Sequence, residues 1–321
     1  MQIFFISLFA VGVLLMLAVP GFIMKKVGFL PQECILGLSR ILVYVCQPCL
    51  IVYTFMTTPF SWERLASMGW FALACLVIHA VMLGGAFLVL NKRSREEVIY
   101  RILTVATTFA NCAFFGIPII EALFPETASE LVIYTTVYAV VMNVIGWTVG
   151  SAIISRDTRY ISPKQIFINP ILIGCVIGFI LFVLGVDLTF SIPDGGDFVL
   201  LRDAVTIVAR MATPLSMIVM GMRLATMKLR DMLSDRRIYI TILVKQLVMP
   251  LVAFLLVKLF PFAADVRATF YIIAACPAAS VVLSYSELCG TGQKEAASAV
   301  LLSTALNIVT LPLMMLLMPF V

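Results

Sequence analysis

Charge is scarce in this chain. Only 12% of its 321 residues are charged, while 62% are hydrophobic. Ordinary soluble domains carry roughly a quarter charged residues, so a water-soluble fold is excluded. Long polar segments are missing too. The longest run roughly from Leu188 to Asp197 and from Lys228 to Arg237, which leaves no room for a second, soluble domain. No basic run is interleaved with aromatics, so the net charge of +5 is not a nucleic-acid signal. Catalytic motifs are absent: there is no His-Glu-x-x-His and no Gly-x-Ser-x-Gly. Gly290-Thr291-Gly292-Gln293-Lys294 has the wrong spacing for a Walker loop, which excludes a self-contained pump. An enzyme is therefore not expected. The eight cysteines (Cys34, Cys46, Cys49, Cys75, Cys112, Cys175, Cys276 and Cys289) fit neither a zinc site nor a disulfide framework. They read as small packing residues, and no metal or cofactor is expected. Met1-Gln2-Ile3 lacks the basic start of a secretory signal, so residues 3–24 read as a retained first span.

What is present is apolar sequence in lengths that cross a bilayer. The expected fold class is an all-α polytopic membrane protein with ten spans. They run roughly over 3–24, 35–57, 66–90, 98–123, 130–154, 166–186, 200–223, 237–259, 267–288 and 295–320. With the N-terminus outside, 16 of the 22 lysines and arginines fall on the inner side and 4 on the outer side, with Arg210 and Lys245 inside spans. Lys92, Arg93, Arg95, Lys164, Arg236 and Arg237 belong to the inner set. That bias supports ten spans with both termini outside. The outer loops are acidic, as at Glu121, Glu126, Glu130, Asp194 and Asp197.

The halves echo each other. Gln47-Pro48 in the second span matches Thr213-Pro214 in the seventh at an offset of 166 (214 − 48). The same offset pairs Gly12 with Gly178 and His79 with Lys245, and a similar one pairs Asn143 with Asn307. Five spans is an odd number, so residues 1–155 and 156–321 would enter the membrane with opposite orientation. Such inverted repeats are typical of secondary transporters.

Two prolines interrupt apolar runs, Pro118 in the fourth span and Pro277 in the ninth. A proline removes a backbone donor, so each helix is expected to break there. In lipid such a break persists only where protein or a wet cavity satisfies it. Paired breaks point to a binding site. Asn111 stands near the first break, and its amide can donate and accept. Asn143 and Asn307 lie in the spans that follow; helix–helix hydrogen bonding and a role at the site both fit them. The polar set inside the spans also holds Ser280, Ser284, Tyr285, Ser303 and Thr304. Lys245 sits about two turns from the inner end of its span, where it could snorkel. Structural pairing and substrate or proton work are its alternatives. His79 could bond across helices or titrate. Arg210, one turn before Pro214, could bind freed carbonyls or attract an anion. Neither proline has Asp or Glu beside it, so an anionic substrate fits better than a cation.

These residues resemble the auxin efflux carrier family, which includes plant PIN-type carriers and many bacterial organic-anion permeases. The resemblance is carried by Ala110-Asn111-Cys112-Ala113-Phe114-Phe115-Gly116-Ile117-Pro118, by Lys245 to Pro250, and by Ala275-Cys276-Pro277-Ala278-Ala279, with a weaker match from Ser298 to Thr304. It covers the whole chain. It implies that spans 4 and 9 cross at their breaks. It further implies a scaffold of spans 1, 2, 6 and 7, a transport unit of spans 3–5 and 8–10, an elevator-like cycle and a homodimer. The long cytoplasmic loop of the plant members is replaced by Arg156 to Gln165, as in a bacterial-type member.

The expected function is secondary active or facilitative transport of a small mono- or dicarboxylate, such as malonate or malate, across an inner membrane. The expected substrate site is Asn111, Gly116, Pro118, Asn143, Pro277, Ser280 and Asn307. Proton or anion coupling would fall to His79, Lys245, Glu121 or Glu287. A sodium site would have to use neutral oxygens, including carbonyls freed at Pro118 and Pro277, so a proton or no coupling ion is favoured over sodium. The rivals are a sodium-coupled bile-acid-type carrier and a membrane sensor that transports nothing.

Overall fold

The computed structural model describes residues 1–94, 96–160, 169–192, 196–228, 230, 233 and 235–321. Arg95, Lys164, Asp194 and the start of the expected span at 166 lie outside them. The described chain is helical apart from a short antiparallel ribbon, β1 (Phe190–Ile192) with β2 (Gly196–Phe198).

Among the described residues, seven helices are long and apolar enough to cross a membrane: α1 (Gln2–Lys26), α2 (Glu33–Thr57), α3 (Trp62–Ser94), α6 (Ala128–Ser155), α8 (Leu200–Thr226), α9 (Arg236–Leu259) and α12 (Gln293–Met315). The sixth expected span is the shorter α7, Pro170–Leu184. The fourth is split into α4 (Val98–Ala106) and α5 (Cys112–Leu123), and the ninth into α10 (Ala264–Ala275) and α11 (Val281–Leu288).

Local chemistry sets several boundaries. Asn169 caps α7 by accepting from the Ile171 N–H at 2.9 Å, Pro170 opens the helix, and Gly185 closes it at φ +64°. Asp235 caps α9 in the same way through the Arg237 N–H at 2.9 Å. The Arg237 guanidinium also bonds Asp235, which holds that carboxyl below the usual carboxylate range.

Proline acts differently along the chain. Among the described residues three of four wide π turns, Leu42–Cys46, Cys112–Gly116 and Val244–Val248, come shortly before a proline (Pro48, Pro118 and Pro250), while the fourth, Gly146–Gly150, has none. The missing N–H releases a carbonyl one turn back, and a wider turn absorbs it without ending the helix. The expected break at Pro118 is thus displaced. Pro118 lies inside α5, and the chain leaves helical form earlier, between α4 and α5. Pro277, by contrast, sits in the second interruption.

Small residues set the closest helix packing. A Cβ on Gly21 would collide with the Ile218 backbone, and one on Gly221 with the Ala18 carbonyl, which locks α1 to α8. Gly174 and Gly178 press α7 against Pro48 and Phe55 of α2. Outward faces are apolar, with Phe9 and Leu88 among the exposed side chains. The polar groups His79, Asn143, Lys245, Gln246 and Asn307 are all buried. That inversion suits a lipid surround.

Candidate functional site where two interrupted helices meet

The two interruptions bond to each other. The Asn111 N–H donates to the Pro277 carbonyl at 2.9 Å, and the Ala279 N–H to the Phe109 carbonyl at 2.9 Å. Ala110 and Ala278 form an isolated antiparallel bridge between them. Extended backbone deep in an apolar protein leaves donors and acceptors that water cannot reach. Each interruption satisfies part of the other.

Side chains complete the second one. Lys245 Nζ donates to the carbonyls of Ala274 and Cys276, both at 2.8 Å. Asn307 Nδ2 donates to the Ala275 carbonyl at 3.0 Å. Ser303 Oγ accepts from the Ala278 N–H at 3.1 Å. Gln246 holds Ser303 in turn, its Nε2 donating to the Ser303 carbonyl, while Thr310 Oγ1 donates to Gln246 Oε1 at 3.0 Å. Lys245 is fully buried, so it does not snorkel. It makes none of the ion pairs found among the described residues. The carbonyls expected to serve a sodium ion at Pro277 are bonded to this amine instead.

The first interruption is served more sparingly. Thr107 and Thr108 turn their hydroxyls back onto the Thr104 carbonyl, at 3.0 and 3.2 Å, where α4 ends. The Asn111 carbonyl accepts from the N–H groups of Phe115 and Gly116. Its side-chain Nδ2 is buried without a partner. The sequence counterparts of Lys245 and Asn307 do not reach this interruption through hydrogen bonds. His79 Nδ1 lies 2.6 Å from the Cys75 carbonyl of its own helix. A carbonyl only accepts, so Nδ1 carries the proton and Nε2 is left as a buried, unpartnered acceptor. Rings of Phe109 and Tyr138 flank the imidazole, at centroid distances of 5.7 and 5.0 Å. Asn143 Nδ2 donates to the Ala139 carbonyl at 2.7 Å, and Tyr285 OH lies 3.4 Å from Asn143 Oδ1. A side chain on Gly146 would occupy the place of the Tyr285 ring.

Three cavities lie where α2 faces the interrupted helices and their neighbours, and α8 lines two of them. One of about 60 Å³ is lined by Gln47, Phe114, Ser216, Arg223, Ser280 and Ser284. One of about 10 Å³ touches Gln47, Ala113, Ile117, Thr135, Asn143 and Ile171. One of about 500 Å³ is lined by Tyr53, Thr57, Pro118, Glu121, Arg210 and Thr213, among others. The expected site residues therefore divide. Ser280, Asn143 and Pro118 face three different cavities, with Glu121 beside Pro118. Asn111, Gly116, Pro277 and Asn307 lie at the crossing itself. Gly116 is close to the second interruption: a Cβ there would lie 3.5 Å from Cys276 Sγ. Glu287 is held by Arg223 at 2.8 Å, and Arg223 also reaches Ser39 Oγ at 3.1 Å.

Gln47, visible in the sequence only as part of a repeat match, and Gln246 both take part in the site. Gln47 borders two cavities, and Gln246 orients Ser303. Both are polar side chains in apolar runs, a signal as strong as that of Asn111.

No curated protein matches the chain. The membrane transport protein family matches it in two segments, residues 6–167 and 158–315, which together span nearly its whole length. With apolar helices around a buried polar crossing, this multi-pass membrane protein belongs to the membrane transport protein family, the family of the auxin efflux carriers.

Proposed function

We propose that the protein is a secondary active or facilitative carrier for a small organic anion, a mono- or dicarboxylate. The observation that supports this most is Lys245, a buried amine bonded to the carbonyls of Ala274 and Cys276 with no carboxylate partner. Its N–H donors, like the N-terminal ends of the half-helices, present positive partial charge in a low-dielectric interior, which favours an anion nearby and opposes a cation. It also occupies carbonyls that a sodium ion would need. Transport is thus proton-linked or uncoupled, and a sodium-coupled bile-acid-type cycle is disfavoured.

In this reading the substrate meets the crossing at Asn111, Gly116, Pro277 and Asn307, and Pro118, Asn143 and Ser280 line the cavities through which it arrives and leaves. The free Asn111 Nδ2 is the donor for a substrate oxygen. Residues 1–155 and 156–321 form two inverted five-helix halves. α1, α2, α7 and α8 are the scaffold through which a homodimer forms. The remaining helices move past it as an elevator, which would bring the crossing alternately to the cavities on either side. Both termini face outward from an inner membrane.

The test is counterflow of radiolabelled malonate and malate in proteoliposomes, at matched membrane potential, with imposed sodium or pH gradients. Saturable uptake driven by trans substrate and indifferent to sodium is expected. Uptake that follows sodium and ignores pH would overturn the coupling, and no saturable flux of any carboxylate would leave a sensor.

A further inference from the structure

Arg210 and Arg223 both lie on α8, about 20 Å apart at 1.5 Å per residue. Each borders a cavity, and each has a glutamate on an interrupted helix in its neighbourhood. Those glutamates, Glu121 of α5 and Glu287 of α11, stand at the repeat offset of 166 (287 − 121). The two arrangements are in different states. Arg223 is neutralised, with Glu287 at 2.8 Å and Ser39 Oγ at 3.1 Å, beside a cavity of only about 60 Å³. Arg210 is exposed and makes no hydrogen bond or ion pair with any described residue, although its charge acts on Glu121, which is also exposed and borders the same cavity of about 500 Å³. The hydroxyls of Tyr53 and Ser129 line that cavity and are likewise unengaged.

A guanidinium presents a planar fork of donors that matches a carboxylate through two parallel hydrogen bonds. An unengaged one in a concave space of this size, with hydroxyl donors around it, has the makings of an anion site. We propose that Arg210 is the carboxylate-binding group of an access site in this vestibule, separate from the helix crossing. Its ligand is a small mono- or dicarboxylate, and Glu121 competes with that ligand for the guanidinium. The ligand class rests on the anion-carrier reading, but occupancy of the site requires no transport cycle.

The experiment is equilibrium binding of radiolabelled malonate and benzoate to the full chain in lipid nanodiscs, by scintillation proximity. Arg210→Gln should weaken binding at least about tenfold, and Arg210→Lys, which keeps the charge and loses the fork, about threefold. Glu121→Gln should tighten it about threefold by removing the competitor. Arg202→Gln is the control. It removes an equal charge from the same helix, where Arg202 pairs with Asp187 at 3.2 Å, and should leave affinity within about twofold. Wild-type affinity in Arg210→Gln, an equal loss in Arg202→Gln, or no wild-type saturation by about 10 mM of either probe would overturn the site. If Arg210→Gln does not fold, unchanged affinity in both Arg210→Lys and Glu121→Gln overturns it. Flux measured on the same preparations separates the two readings. Arg210-dependent binding without flux removes the carrier and keeps the site, whereas flux with Arg210-independent binding does the reverse.

Discussion

The two helix interruptions resemble each other in sequence and differ in how they are held. The second is enclosed by hydrogen bonds from α9 and α12: Lys245 takes two carbonyls, Asn307 one, and Ser303 accepts an N–H. The first has counterpart residues in His79 and Asn143, yet neither side chain bonds it: His79 bonds its own helix, and Asn143 bonds its own helix and the Tyr285 hydroxyl of α11. Its Asn111 amide keeps a free donor. The second leaves a buried acceptor unpartnered at Asn307 Oδ1, while its backbone is bonded; the first leaves a buried donor at Asn111 Nδ2, which costs stability unless something comes to meet it. Under the proposed function the difference divides the labour: the second interruption is built to stay, and the first offers a donor to a ligand.

The largest expected effect lies in the better-held half. Lys245→Met would leave the Ala274 and Cys276 carbonyls without their partner and should destabilise the protein by about 3–5 kcal/mol. His79→Leu should cost about 1 kcal/mol or less, since its carbonyl partner lies on its own helix. Thermal unfolding in detergent checks both, and equal losses would dissolve the comparison. A smaller contrast should separate the asparagines. Asn307→Ala strands the Ala275 carbonyl and should cost about 1–2 kcal/mol, against about 0.6 kcal/mol for Asn143→Ala. The reverse order would mean that the long 3.4 Å contact of Asn143 with the Tyr285 hydroxyl outweighs the bond of Asn307 to the second interruption. The smallest stability effect belongs to Asn111→Ala, within about 0.5 kcal/mol, because its Nδ2 bonds nothing in the fold. Substrate affinity in that variant should nonetheless fall by about 1–3 kcal/mol, read from transport saturation curves. Lost stability with unchanged transport would make Asn111 structural and remove the division of labour.

Much of the candidate site could be named from sequence because the bilayer penalises polar side chains. Asn111, Asn143, Lys245 and Asn307 stood out against apolar neighbours, and all are buried. Their partners could not be named. Whether Lys245 reaches an interface or the carbonyls of another helix depends on which helix lies beside it, and no local pattern records that. The part played by Gln246, orienting Ser303, is invisible locally because its partner lies 57 positions away.

The sequence by itself determined that this chain lives in a membrane, since its apolar lengths and sparse charge admit no other solvent. It also determined that two of its spans would be interrupted, and that one interruption would fall at Pro277. The tertiary structure decided where the other falls. Pro118 removes one donor, and a π turn absorbs that loss inside α5. The helix instead ends before Asn111, where Phe109 and Asn111 find backbone partners in Ala279 and Pro277. A proline fixes only its own ring and its own missing hydrogen bond. A helix interior to a membrane can open only where another segment takes up the released groups, and that segment lies more than 160 residues along the chain.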